Sequence, residues 1–421
     1  MEYRQIATKL RGQIHNYLGI FYPHFSKPRS KFIEQMIYGI QAGRDVKLSS
    51  ISRSLGEDIL LKKTEERLSR HLATKGLWKK INEIIVGHGA RKIHKDTLIV
   101  IDPTDIRKPY AKKMPYLARV RDGSTGEIAN GYCGCVAIAC EPGKRRIIPL
   151  HQRLWSAGAP DYGSENIQLL QVIDKIKSAV GNRGIYVLDR GGDRIKLINP
   201  LLNNRLRFII RLANRRHLVF RGRNRHPLDL AGGCPMSYAD TIVKEVKGEE
   251  KVYRIEYGFR KVKLPGRKEQ LYLVVIKGFG KKPMMLLTNA VVEKSRKSLW
   301  FFVSSYLSRW LIEETIRFIK QSYHLEDIRV LDYERLRNMV ALTLAAAYFS
   351  GVWLGESLKL TVLATRVAKV AKRFFGVPDF HYYALADGIA MLLSRLGEWK
   401  QKTRAGKPTE ESTQGSLFAF P

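Results

Sequence analysis

Cysteine is scarce in this chain, with four among 421 residues. That is too few to staple a fold of this length, so a disulfide framework is excluded. Cys133, Cys135 and Cys140 fall close together, and Cys234 stands apart. The paired Cys-x-x-Cys spacing of a zinc site is missing. Cys133 to Cys140 reads instead as a buried strand, where cysteine acts as a small hydrophobe. The opening residues, Met1 to Gln5, begin no apolar signal-peptide core. One run, Met339 to Leu354, is long and apolar enough to raise the question of a membrane span. In so basic a chain a lone span fits poorly, so the expectation there is a buried helix and no membrane partner. Internal repeats are lacking too.

Acid is the scarcer charge. There are 39 Asp and Glu against 74 Lys and Arg, a net of +35. A surplus this large attracts polyanions, and nucleic acid gains further from counterion release. The base is spread along the chain, with clusters at Lys144 to Arg146, Arg215-Arg216, Arg221 to Arg225, Arg260 to Lys263 and Lys281-Lys282. Spread of this kind suggests a long footprint on DNA, not a detachable basic arm. The apolar fraction of 44% is ordinary for a folded protein and leaves room for roughly two or three domains.

Residues 1–92 read as helical. Phe32 to Ile40 is patterned as amphipathic. Leu48 to Leu55 and Lys62 to Leu72 are short helical stretches divided by Gly56, with Thr64 or the segment before it as a cap. The pair resembles a helix-turn-helix unit, with Arg53, Arg67, Arg70 and His71 as candidate DNA contacts. From Leu98 the pattern turns to strands. Leu98 to Ile101 and Ile185 to Leu188 are wholly apolar, as in strands covered on both sides, and each runs into an acid, Asp102 and Asp189. Between them come two further strands, at Gly131 to Ala139 and Arg146 to Leu150, and an amphipathic helix over Ser164 to Val180. Residues 205–292 are β-rich and basic. A single helix is expected from Lys297 to about Leu325, with more helices after it. Residues 401–421 are polar and expected to be disordered.

Two strand-end carboxylates side by side repel unless a cation joins them. On a continuous helix, Tyr306, Arg309, Glu313, Arg317 and Lys320 fall within an arc of about 80°. Glu314 points about 100° away, so Glu313 is the better ligand. A solvated Arg309–Glu313–Arg317 ladder would explain that face alone, but not the two aspartates. Three converging carboxylates suit Mg2+ or Mn2+, and a pair of such ions can clamp an in-line phosphoryl transfer. Bases on the same face would hold neighbouring phosphates.

Tyr306-(2)-Arg309-(3)-Glu313-(6)-Lys320 matches, interval for interval, the Tyr–Arg–Glu–Lys signature of DDE transposases of the insertion-sequence-four type. Asp102-Pro-Thr104 resembles that group's first motif, and Asp189-Arg190-Gly-Gly-Asp193 its second. The resemblance spans roughly residues 30 to 350. It implies an α/β fold with a ribonuclease H-like catalytic core and a β-rich insertion, preceded by a helical DNA-binding domain and followed by a helical C-terminal region. The expected parts are 1–92 for DNA binding, 93–204 and 293–350 for the core, 205–292 for the insertion, and 351–400 for the C-terminal helices. It further implies that Asp102, Asp189 and Glu313 are the catalytic residues and hold a pair of metal ions. Tyr306, Arg309 and Lys320 would contact the DNA end, with Arg190 and Arg317 beside them. Thr104 and Asp193 would support the ligands. The implied partners are double-stranded terminal inverted repeats and target DNA, with a dimer assembled on paired ends in the nucleoid-bearing cytoplasm. Where a base is flipped, Trp155, Trp300 and Trp310 are candidate stackers. A metal-dependent nuclease or resolvase of the same fold, and a transposase-derived DNA-binding regulator, are the competing readings.

Overall fold

The computed structural model describes residues 2–109, 111–121, 126–144, 146–246, 249–356, 358–371, 381–394 and 396. The expected disordered tail, 401–421, lies outside them.

Five helices open the chain: α1 (Glu2–Leu18), α2 (Lys27–Gly43), α3 (Leu48–Leu55), α4 (Leu61–Leu72) and α5 (Leu77–Ala90). The expected amphipathic face of α2 is absent, because Phe32 to Gln41 is buried on every side. Its polar groups are met from within. Gln41 donates to the Ala346 carbonyl at 2.7 Å and Ser350 at 3.0 Å, and Gln35 donates to Glu57 at 2.9 Å. Thr64 is no cap either. It lies inside α4, buried, and donates to Glu57 Oε2 at 2.9 Å.

A ten-stranded sheet follows. Its strands are β1 (Leu98–Arg107), β2 (Ala118–Arg121), β3 (Ile128–Cys140), β4 (Ile147–Trp155), β5 (Ile185–Leu188), β6 (Phe208–Arg211), β9 (Tyr238–Val246), β10 (Glu249–Val262), β11 (Leu271–Lys277) and β12 (Met284–Thr288). A separate two-stranded hairpin joins β7 (Leu218–Phe220) to β8 (Arg223–Arg225). Helices α6 (Glu165–Val180), α7 (Ile195–Asn203) and α8 (Pro227–Gly232) are interleaved among the strands. β1 runs antiparallel to β3 and parallel to β5, and β5 runs parallel to β6. Both apolar runs expected as central strands are buried along their length, as a sheet covered on both faces requires. The β-rich stretch does not form a sheet of its own. β12 pairs with β6, so β11, β10 and β9 extend the central sheet.

The remaining helices are α9 (Arg296–Leu307), α10 (Trp310–Ser322), α11 (Tyr333–Gly351), α12 (Leu358–Val370) and α13 (Tyr382–Leu393). The single helix expected from Lys297 is broken at Ser308 and Arg309. Ser304 donates to the Phe301 carbonyl at 3.1 Å, and Ser308 donates to the Ser304 carbonyl at 2.9 Å. At the break the backbone N–H groups of Arg309, Leu311 and Ile312 donate three residues back, to the carbonyls of Tyr306, Ser308 and Arg309, as in a 3-10 turn. α11 is the one described helix long and apolar enough to cross a membrane, and it is buried inside the fold. Asn338 ties it to the start of α5, accepting from Trp78 N at 2.8 Å and donating to the carbonyls of Leu72 and Thr74.

Candidate active site

Asp102 is not at the end of its strand, since β1 continues to Arg107. What ends is the parallel pairing. The last register pair of β1 with β5 is Val100 with Val187. Two residues beyond that pair stand Asp102, still within β1, and Asp189, one residue past β5, so the register sets them level at the same edge. Asp102 is mostly buried, and burial drives its carboxyl up to about 7. Arg309 opposes that rise, and the charges of Asp189 and Glu313 add to it. Both acids are therefore within electrostatic reach of Asp102.

Asp189 caps the short 3-10 turn Arg190–Gly192, accepting from Gly191 N at 2.6 Å through Oδ1. Only glycine fits at 192, because a Cβ there would come within 2.5 Å of Leu188 Cβ. Arg190 is exposed. Asp193, with its side chain 1% exposed, accepts from Ala213 N at 2.7 Å and from Arg216 Nε. Its role in this structure is to anchor the segment after β6.

Glu313 sits half-exposed in the first turn of α10. Arg309, just before that helix, lies between the acids: it is ion-paired with Glu313 and stands 3.6 Å from Asp102 Oδ1. Among the described residues no three His, Cys, Asp or Glu side chains are grouped closely enough to hold a metal ion. Asp189 and Glu313 thus lie within electrostatic reach of Asp102, and Glu313 is turned to Arg309.

The other expected residues are placed as follows. Tyr306 is 5% exposed, under the guanidiniums of Arg211 at 5.9 Å and Arg309 at 6.0 Å. It is on α9, so the helical arc drawn through it and Glu313 does not hold. Lys320 is held between Asp105 at 3.5 Å and Glu326 at 3.1 Å. Arg317 pairs with Glu314 at 2.5 Å, so the expected ladder stops at Arg309–Glu313. Thr104 lies two residues beyond Asp102 on β1, facing Gly134 across the pair. Of the tryptophans, Trp155 is buried, Trp300 packs against Tyr257 at 6.0 Å, and Trp310 is 36% exposed beside Arg309. In the helical region Arg53 and Arg70 are exposed. Arg67 is committed to Glu57 and Gln35. His71 stacks on Phe32 at 5.3 Å, and burial together with nearby arginines lowers its pKa.

Sequence reasoning missed Arg211, Asp105 and Glu326, and marked Arg216 only as part of a basic cluster. Their partners lie far along the chain or across a turn, and residue type alone carries no sign of such pairings. The cysteines of β3 do sit on a buried strand, where burial pushes the Cys135 and Cys140 thiols up to about 12.

The family described as "Transposase DDE domain" matches residues 93–349, from the approach to β1 through most of α11. No curated protein matches the chain. Among solved structures it is similar to the piggyBac transposase in the cryo-EM structure of its synaptic complex with hairpin DNA. That similarity has 10% identity and a TM-score of 0.45, covering 90% of this chain and 79% of that one.

Proposed function

The chain belongs to the transposase DDE-domain family, and on that premise we propose that it is the transposase of an insertion sequence of the insertion-sequence-four type. It cuts double-stranded DNA at terminal inverted repeats and joins the ends to target DNA. The observation that carries this reading is the register that sets Asp102 level with Asp189, within electrostatic reach of Glu313, inside the matched span.

Asp102, Asp189 and Glu313 are the residues that would hold two divalent cations, Mg2+ or Mn2+. Their donor chemistry fits. Hard carboxylate oxygens suit these ions, and Asp102, mostly buried beside two further acids, has the guanidinium of Arg309 set against three carboxylates. When bound, the ions would activate the attacking hydroxyl and stabilise the leaving oxygen. Arg309 supplies the positive charge between Asp102 and Glu313 until then, and its release toward a DNA phosphate would free Glu313 as a ligand. Arg190 and Arg317, both exposed, would contact the flanking backbone. Lys320 would join them once DNA competes for it with Asp105 and Glu326, and Tyr306 would act from beneath Arg309. Thr104 and Asp193 would support the ligands from behind.

The strand run β4-β3-β1-β5-β6 supports a ribonuclease H-like core, being antiparallel across its first three strands and parallel across its last three. Residues 1–92 would bind DNA through Arg53 and Arg70. A dimer would form on paired DNA ends in the cytoplasm, at the nucleoid.

The test is metal-dependent cleavage of a duplex carrying the element's own terminal repeat, comparing wild type with Glu313→Ala. Cutting at the repeat boundary by wild type, with the variant binding but not cutting, is the expected result. Equal cutting by both would reduce Glu313 to a partner of Arg309. Binding without cutting by both would favour a regulator.

A further inference from the structure

The β7–β8 hairpin stands apart from the large sheet. Its turn is Arg221-Gly222, both with positive φ of 51° and 76°. That is the geometry of a tight two-residue hairpin turn, whose twist matches the flanking strands. Phe220 pairs with Arg223 and Leu218 with Arg225, so both arginines share one face of the ribbon. Arg221, Arg223 and Arg225 are exposed, and none has an acidic partner among the described residues. Most arginines around the active site do have one, as with Arg309, Arg317 and Arg216. Exposed guanidiniums without acidic partners on so short a ribbon repel one another unless an anion joins them.

The hairpin is also firmly placed. At its root, Asp193 receives Ala213 N and Arg216 Nε, only four residues beyond Asp189. Along its side, Val219 pairs with Lys263, accepting from it at 3.0 Å and donating to it at 2.8 Å. The Arg260 guanidinium lies 4.8 Å from the centre of the Phe220 ring, and that of Arg221 lies 5.2 Å from it. The residues leading into the hairpin are therefore tied to the segment that carries a candidate catalytic carboxylate, and the turn lies about 10 Å along the strand from Leu218.

We propose that this hairpin is a DNA-gripping element, in which Arg223 and Arg225 bind backbone phosphates of the duplex flanking the cut site. The inference rests on the transposase reading and deepens it by assigning a second contact surface outside the carboxylate edge. The residues are about 6.6 Å apart along β8, and arginine forks match phosphate oxygens in pairs. Such contacts position the duplex without reading its sequence.

The experiment uses the full chain and a fluorescently labelled mixed-sequence duplex, with affinity measured by anisotropy across a range of KCl concentrations. For each phosphate no longer neutralised, the slope of log K against log salt should fall by about 0.9. Arg223→Ala with Arg225→Ala should therefore be shallower than wild type by about 1.8. The matching Arg→Lys pair should recover most of the slope, since lysine keeps the charge. Arg225→Ala alone, expected to be shallower by about 0.9, keeps the test decisive if the double variant unfolds. Slopes equal to wild type would overturn the hairpin's role while leaving the transposase reading intact. A Lys pair as shallow as the Ala pair would overturn the phosphate assignment. Absence of salt-dependent binding by wild type would overturn both readings together.

Discussion

Asp193→Ala should destabilise this protein far more than its place in a short loop suggests. The carboxylate is 1% exposed and its partner Arg216 is 14% exposed. Removing it leaves a buried guanidinium without a counter-charge and the Ala213 N–H without an acceptor. Breaking a buried pair from one side costs about 3–5 kcal/mol. The stranded amide accounts for about 1–3 kcal/mol of that. Arg216→Met strands the carboxylate instead, but leaves its bond from Ala213, so the loss should be smaller. Because each single change breaks the same pair, the double variant should lose less than the sum, by about 1–3 kcal/mol. Urea unfolding followed by tryptophan fluorescence measures all four proteins, and the comparison requires similar slopes against denaturant. A loss below about 1 kcal/mol for Asp193→Ala, or strict additivity in the double variant, would refute the argument that this pair anchors the loop.

Other perturbations have equally definite outcomes. His151 is buried, and burial lowers its pKa to about 3. The unfolded chain then binds more protons than the fold between pH 3 and 6.5, so this contribution to stability is complete above pH 6.5 and shrinks as pH falls toward 3. On going from pH 7 to pH 4 it should cost roughly 3 kcal/mol, and His151→Gln should show a smaller fall in thermal midpoint over that interval than wild type. Gly192→Ala forces a Cβ to within 2.5 Å of Leu188 Cβ. It should cost about 1–3 kcal/mol and reduce metal-dependent cleavage by displacing Asp189, as unfolding and cleavage assays on one preparation would show. Mg2+ should raise the thermal midpoint of wild type but not that of Asp102→Asn. An equal rise in both would place the cation elsewhere.

Where the signal was local, the sequence was legible. The runs Leu98–Ile101 and Ile185–Leu188 are apolar without alternation, and they form the adjacent parallel strands β1 and β5. Residues 205–292, read as β-rich, do carry the strands β6 to β12. Pairing across long separations was not legible. Nothing in Met284–Thr288 announces that it joins Phe208–Arg211, which is what merges the β-rich stretch with the central sheet. The helical arc through Tyr306 and Glu313 failed for a short-range reason. The backbone tightens to three-residue hydrogen bonds between Tyr306 and Ile312, and apolar periodicity alone does not register such a turn. Spacing likewise marked Lys320 and Arg317 without showing that Asp105, Glu326 and Glu314 already hold them. Apolar patterning, in turn, gave Phe32–Ile40 a solvent face that neighbouring helices cover.

The merged sheet has a topological consequence. The chain leaves the core at the end of β6 and re-enters it through β12, its antiparallel neighbour, and the exit and return are stitched by Leu212 N donating to the Met285 carbonyl at 2.9 Å. Everything from Ala213 to Met284 is therefore an excursion from what would otherwise be a simple hairpin. Such a neck tolerates great variation in what hangs from it, because closure entropy grows only slowly with the length enclosed. Length added within the loops of this excursion therefore leaves the β1–β5 pairing that sets Asp102 level with Asp189 in register.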